Sequence, residues 1–190
     1  MIALRVSMSR LASRCLLALS VMTGAGAAWA GAQVEEPLAD SVRSALSAAV
    51  GRGEPPKLVF ADDTQRQECE RWSRANEARL FKRKPDELVR TEFLNTVCYE
   101  AKRAGLEPSL VLGLIQVESG FRKFAISSVG ARGYMQIMPF WSRTIGNGDA
   151  SSLFHMQTNI RFGCVILRHY LDREKGNLFM ALGRYNGSRG

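Results

Sequence analysis

The chain has 190 residues, with 26 Lys+Arg against 18 Asp+Glu, a formal charge of +8 and a hydrophobic fraction of 46%. That is the composition of one globular domain, with or without an appendage, and it excludes wholesale disorder and a fibrous repeat. No apolar run reaches the roughly 18 to 20 residues of a spanning helix, so a multi-span membrane protein is excluded as well.

Residues 1–30 read as a secretory signal: Arg5, Arg10 and Arg14, then a mostly apolar stretch from Leu16 to Met22, then small residues ending Ala28-Trp29-Ala30. Cleavage is expected after Ala30, with Ala32 as the second choice. A buried amphipathic helix is the rival reading, but the segment holds three early arginines and no acid. Cys15 follows Ser13-Arg14, which does not suit a lipid-anchored cysteine. The mature chain is thus expected to be exported and periplasmic. Its charge falls to +5 and is unevenly spread: Gly31 to Glu118 carries 13 Lys+Arg and 15 Asp+Glu, whereas Ser119 to Gly190 carries 10 and 3. A basic field of this kind attracts polyanions. An exported protein rarely meets nucleic acid, so neither a nucleic-acid partner nor stable membrane insertion is expected, and the anionic cell wall and lipid head groups lead.

Residues 31–60, with Pro37, Gly51, Gly53, Pro55 and Pro56, look like a linker holding at most one short helix around Asp40 to Val50. Residues 61–90 form an N-terminal helical segment, in which Asp62 to Lys82 is polar and free of Gly and Pro. Lys84-Pro85-Asp86 breaks that helix, and a second runs to about Ala104, with Gly105 as its C-terminal glycine. Pro108 opens a third helix that runs to Glu118. Gly120 to Gly133 is loop-rich, and two further helices follow, from about Met156 to Arg173 and from about Leu178 to Tyr185. With no strand ladder in view, the fold class is mainly α.

Three cysteines remain after the signal: Cys69, Cys98 and Cys164. If the helices flanking Pro85 form an antiparallel hairpin, Cys69 lies 16 residues before the turn and Cys98 lies 13 after it. At about 1.5 Å rise per residue the two heights differ by only about 5 Å, so a Cys69–Cys98 disulfide suits an exported hairpin. Cys164 shares a stripe with Ile160, Leu167 and Leu171 and reads as a buried thiol. No metal site and no cofactor are expected, since His155 and His169 are isolated and the cysteines lack ligand spacing.

Glu118 is the informative residue. Val111, Leu114 and Ile115 precede it by seven, four and three positions, which puts the glutamate on the apolar face of its own helix. Burial disfavours the charged form, so such a carboxyl is either paired or holds its proton, and a raised pKa is what a general acid needs near neutral pH. Periodicity alone leaves a second reading open, a helix-terminal glutamate bonded by the turn at Gly120.

The strings Glu118-Ser119-Gly120-Phe121, then Ser127-Ser128-Val129-Gly130-Ala131-Arg132-Gly133-Tyr134-Met135-Gln136-Ile137-Met138-Pro139, then Arg184-Tyr185-Asn186-Gly187, occur in order. Together they resemble the soluble lytic transglycosylase (SLT) family, whose catalytic domain has a lysozyme-like fold. Asn159-Ile160-Arg161-Phe162-Gly163 is similar to that family's helix between the second and third blocks. The resemblance assigns residues 91–190 to the catalytic domain. It implies that Glu118 is the sole catalytic acid and base, followed by Ser119 in the same motif. It implies substrate contacts for Ser119, Ser127, Gln136 and Met138, and for Tyr185 and Asn186 as a pair that faces the glutamate. Each has a plainer reading: Ser127 as a turn residue, Met138 as core, Tyr185 as a packed aromatic.

Two positions depart from the pattern. Tyr134 stands where the family usually has Leu, and Gly183-Arg184 where it usually has Ala-Ala or similar. Family domains also usually continue past Tyr-Asn-Gly into another helix, and this sequence ends four residues after Asn186, so a missing last helix is expected.

Glycosidases normally use two carboxylates. After Glu118 only Asp149, Asp172 and Glu174 remain, and the last two lie in a mixed-charge helix end. The resemblance implies a lyase acting on peptidoglycan glycan strands between N-acetylmuramic acid and N-acetylglucosamine, leaving 1,6-anhydro ends. The alternatives are a muramidase pairing Glu118 with Asp149, and a non-catalytic peptidoglycan-binding protein.

Overall fold

The computed structural model describes residues 33–51 and 57–188. The expected signal segment, both cleavage positions and residues 52–56 lie outside the described residues. Seven α-helices follow in order: α1 (Asp40–Val50), α2 (Asp63–Leu80), α3 (Glu87–Arg103), α4 (Pro108–Ser119), α5 (Pro139–Ile145), α6 (Met156–Arg173) and α7 (Leu178–Tyr185), with a 3-10 turn at Ala150–Phe154 before α6. Among the described residues there is no named strand, only isolated bridges from Arg132 to Ile126 and to Ile137.

Local chemistry explains the boundaries. Asp62 and Asp86 cap α2 and α3 by accepting from the amides of Gln65 and Val89 at 2.8 and 3.0 Å, which satisfies donors that a helix start leaves open. Pro108 begins α4 and Gly120, in the left-handed conformation, ends it.

α2 and α3 pack as an antiparallel hairpin, and Cys69 is joined to Cys98 by a disulfide with the Cα atoms 5.5 Å apart. Cys164 is a buried free thiol. Leu80, Phe93, Val97, Val111, Ile115, Ile160, Ile166 and Leu167 form one core to which α2, α3, α4 and α6 all contribute. Inside it sits a charge: Glu100, fully buried, accepts from Arg161 at 2.7 Å and from Arg103 at 2.9 Å. Arg103 also donates to the Ala49 carbonyl at 2.6 Å, so this cluster links α3 to α6 and to the end of α1.

The linker-like reading of residues 31–60 needs correction for its described part. Leu46 and Val50 of α1 enter the common core, and Gln33 is buried ahead of them. The glycines and prolines that suggested a tether flank a packed helix. α5 and the 3-10 turn were not expected either, because segments of 7 and 5 residues are too short to display a hydrophobic period.

Candidate active site

Glu118 lies in the last turn of α4, on the same face as the buried Val111 and Ile115. Its side chain is 6% exposed, and Oε2 is buried with no hydrogen-bond partner among the described residues. Burial alone pushes its pKa from 4.5 up to about 7. An unpaired carboxyl so placed keeps its proton near neutrality and can give it to a basic oxygen brought against it. The second reading left open by periodicity, a carboxyl bonded by the following turn, is not what the structure shows.

The block from Gly133 to Met138 has its backbone held from two helices, α6 and α7. Asn159 of α6 accepts from the Met135 amide at 2.8 Å and donates to the carbonyls of Arg132 at 2.9 Å and Leu153 at 2.8 Å. Tyr185 of α7, fully buried, donates its hydroxyl to the Met135 carbonyl at 2.9 Å. The glycines of this region are close-approach positions. A Cβ on Gly133 would lie 2.4 Å from Asn159 Nδ2, and one on Gly163 would lie 2.2 Å from Met135 Sδ. Asn159 and Gly163, four apart on α6, therefore clamp the block, a role that residue-by-residue resemblance did not assign. The signal was present, since a spacing of four places both on one helix face.

The expected site residues divide. Tyr185 lies near the glutamate: the Glu118 carboxylate adds to burial in raising the phenol's pKa well above its ordinary value. Its hydrogen bond nevertheless goes to Met135 and not to Glu118. Met138 is half-buried, packs against the core and stands at the position before α5 without capping it by its side chain. Asn186 is exposed at the end of α7, where its Oδ1 accepts from the Ser188 amide at 2.9 Å. Ser127 is half-buried and its Oγ accepts from the Ala131 amide at 3.0 Å, closing a turn.

Ser119 and Gln136 are both buried and bonded within the protein. Ser119 is 2% exposed and donates to the Ile115 carbonyl at 3.2 Å, because it lies one position around α4 from Glu118. Gln136, at φ 49°, sends its amide nitrogen to the carbonyls of Gly133 at 2.9 Å and Ala125 at 3.3 Å. It braces the loop.

Asp149, the residue of the hydrolase alternative, caps the 3-10 turn by accepting from Ser151 N at 2.8 Å and Ser151 Oγ at 2.7 Å. Those bonds hold its pKa below the ordinary value. Burial is the cause of the raised Glu118 pKa, whereas Asp149 is exposed and held by Ser151.

Residues 95–190 match the family described as the transglycosylase SLT domain. The chain belongs to that family. The SLT domain fills the C-terminal half of the sequence and contains α4 to α7, most of α3 and every expected substrate contact. Among curated relatives, the membrane-bound lytic murein transglycosylase C of Actinobacillus pleuropneumoniae serotype 5b (strain L20) is 37% identical over 87 residues, 40% of this chain and 23% of that protein. The transglycosylase of Enterobacteria phage PRD1 is 34% identical over 96 residues, 50% of this chain and 35% of that protein. A lytic murein transglycosylase C of Haemophilus influenzae (strain PittGG) is 31% identical over 114 residues, 52% of this chain and 32% of that protein. The matched SLT region thus spans about a quarter to a third of the relatives' length. No described helix is long and apolar enough to cross a membrane.

The two departures noted in the SLT pattern receive structural partners. Tyr134 takes a 2.7 Å hydrogen bond from Lys84 Nζ, which is buried between the Tyr134 and Phe93 rings at 4.5 and 4.7 Å from their centroids. Arg184 pairs with Glu36, which precedes α1. Both fasten residues outside the SLT match to the domain.

Proposed function

We propose that this protein is a peptidoglycan lytic transglycosylase that works with one carboxyl group, Glu118. The observation that carries the reading is the isolation of that group: buried, unpartnered at Oε2 among the described residues, and raised by burial to a pKa of about 7. A hydrolase needs a partner to activate water or to attack the sugar, and Asp149 is instead engaged as a turn cap.

In the proposed reaction, Glu118 protonates the oxygen joining N-acetylmuramic acid to N-acetylglucosamine as the C1–O bond breaks. The carboxylate so formed takes the proton from the muramic C6 hydroxyl while that oxygen closes on C1. One bond breaks, one forms, the proton returns to Glu118 and no water is consumed. Tyr185, near enough for Glu118 to act on its phenol and fixed by its bond to the Met135 carbonyl, is a preorganised neighbour of the carboxyl, and a charge developing in buried surroundings is governed by such groups rather than by solvent. The basic C-terminal half, 10 Lys+Arg against 3 Asp+Glu from Ser119 onward, suits an anionic glycan with acidic stem peptides. Export to the periplasm, read from residues 1–30, places the enzyme with that substrate.

The test is mass spectrometry of fragments released from purified murein sacculi. The wild-type chain should leave 1,6-anhydromuramic ends, and Glu118→Gln should cut their release by at least about a hundred-fold. Reducing ends in place of anhydro ends would establish the muramidase instead. Release that survives Glu118→Gln would remove Glu118 from the mechanism.

A further inference from the structure

Ahead of α1, and outside the SLT match, one polar side chain is buried where no motif placed it. Gln33 is 4% exposed. Its Oε1 accepts from Trp141 Nε1 at 3.0 Å and from the Met138 amide at 3.4 Å. α5 starts with Pro139 and has no side-chain cap of its own, so Gln33 serves the open end of α5 from more than a hundred residues away in sequence. The same amide lies against the Tyr185 phenol, where it opposes the upward pull of burial on the phenol's pKa. Its Nε2 is buried facing the Tyr185 phenol, without a hydrogen bond of full geometry among the described residues.

Charge holds this segment in place. Glu36 pairs with Arg173 of α6 and, at 3.2 Å, with Arg184 of α7, while Arg184 also pairs with Glu174. Glu35 reaches Arg143 of α5 at 3.9 Å. Residues 33–36 therefore strap α5, α6 and α7 together at the point where Met138, Trp141 and Tyr185 meet.

We propose that Gln33 is a positioning residue of the catalytic site, acting through Met138, Trp141 and Tyr185, and that segment 33–36 is a working wall of that site rather than a tether to it. The proposal rests on the transglycosylase reading. Its chemical content is specific: one amide oxygen fixes both the backbone at the start of α5 and the indole of Trp141, and the same amide faces Tyr185, on which Glu118 also acts.

The experiment uses the exported, processed chain and two variants, Gln33→Met, which fills the space without an acceptor, and Gln33→Glu, which keeps an acceptor oxygen but adds a buried carboxyl and is therefore read at about pH 5, where burial keeps that carboxyl neutral. At a temperature well below melting, Gln33→Met should lower kcat on murein about ten-fold with KM changed less than about two-fold. The Trp141 indole N–H resonance, assigned against Trp72→Phe, should shift in Gln33→Met and return in Gln33→Glu together with most of kcat. A folded Gln33→Met with wild-type kcat, or an unmoved Trp141 resonance, overturns the proposal. Should Gln33→Met not fold, Glu36→Gln loosens the strap at Arg173 and Arg184 while leaving the Gln33 amide in place; it should lower kcat about two- to five-fold at unchanged KM, and wild-type kcat there overturns the proposal equally. A wild-type chain that releases no anhydro product overturns the transglycosylase reading instead, and the Trp141 resonance still decides the Gln33 contact.

Discussion

Tyr185 gives its hydroxyl hydrogen to the Met135 carbonyl, 2.9 Å away, while the Glu118 carboxyl beside it stays unbonded at Oε2. The arrangement separates two duties. Tyr185 fixes the wall, and Glu118 keeps its proton because nothing pairs with its charge. Tyr185→Phe therefore leaves a buried carbonyl without its donor, which costs about 1 to 3 kcal/mol. Thermal or urea unfolding should show that loss; unchanged stability would mean that the Met135 bond is not made in solution.

Glu118 is held at a cost to the fold. Its pKa is 4.5 when unperturbed and about 7 when folded, so between those values the folded state binds a proton that the unfolded state does not. Stability attributable to this group is untouched below about pH 4.5, declines as pH rises, and has lost its full amount above about pH 7. Glu118→Gln removes the ionisation and should be more stable than wild type at pH 8, by no more than about 3 kcal/mol. The gain should vanish at pH 4, and urea titrations at the two pH values measure it. A gain that is the same at both would come from packing and not from charge.

The same ionisation sets the alkaline side of activity. The first proton transfer requires the protonated acid, so kcat/KM should fall as pH rises through about 7. Cys164 and Tyr185 are pushed well upward and stay protonated through that range, whereas Lys84, held on Tyr134, is lowered by burial to about 8, so a Glu118→Gln profile is the control that separates the two. A flat profile from pH 6 to 9 would contradict the burial of Glu118.

Much of the helical layout could be read directly because punctuation coincides with chemistry: Pro85, Gly105, Pro108 and Gly120 mark turns whose backbone demands are local. The reading failed where the deciding partner was distant in sequence. Leu46 and Val50 look ordinary until α5 and α6 are beside them, and Gln33 gives no signal at all before Trp141 is placed. For the site, residue type was legible while side-chain direction was not. Gln136 matches the pattern, yet its left-handed backbone and two nearby carbonyls turn the amide into the loop. Ser119 is spent on its own helix in the same way.

The Glu100 cluster offers a test that does not involve the active site. Removing one member of a buried, hydrogen-bonded charge group leaves the others uncompensated, and Glu100→Ala strands Arg161 and Arg103. A loss of about 3 to 5 kcal/mol is expected, enough to unfold many domains of this size near body temperature. Replacing Arg103, which is partly exposed, should cost less.

Gly163 is limited by Met135, whose Cβ as well as sulfur stands within 2.8 Å of where a new Cβ would be. Gly163→Ala should destabilise by about 1 to 3 kcal/mol and displace the Met135 wall, lowering kcat as well. Combining it with Met135→Ala should cost less than the sum of the two single changes, since one relieves the crowding caused by the other.

The disulfide between Cys69 and Cys98 gives the chain an unusual response to cutting. Phe81, Lys82 and Arg83, in the turn between α2 and α3, are exposed and include two basic residues open to trypsin-like enzymes. A single cut there falls inside the covalent loop, whose ends are 29 residues apart. The two fragments stay tethered, with Gln33 and Glu36 still joined to the half that carries Glu118. Such a nicked molecule runs as one species on a gel until a reductant parts it, and in an oxidising compartment it can outlast the break.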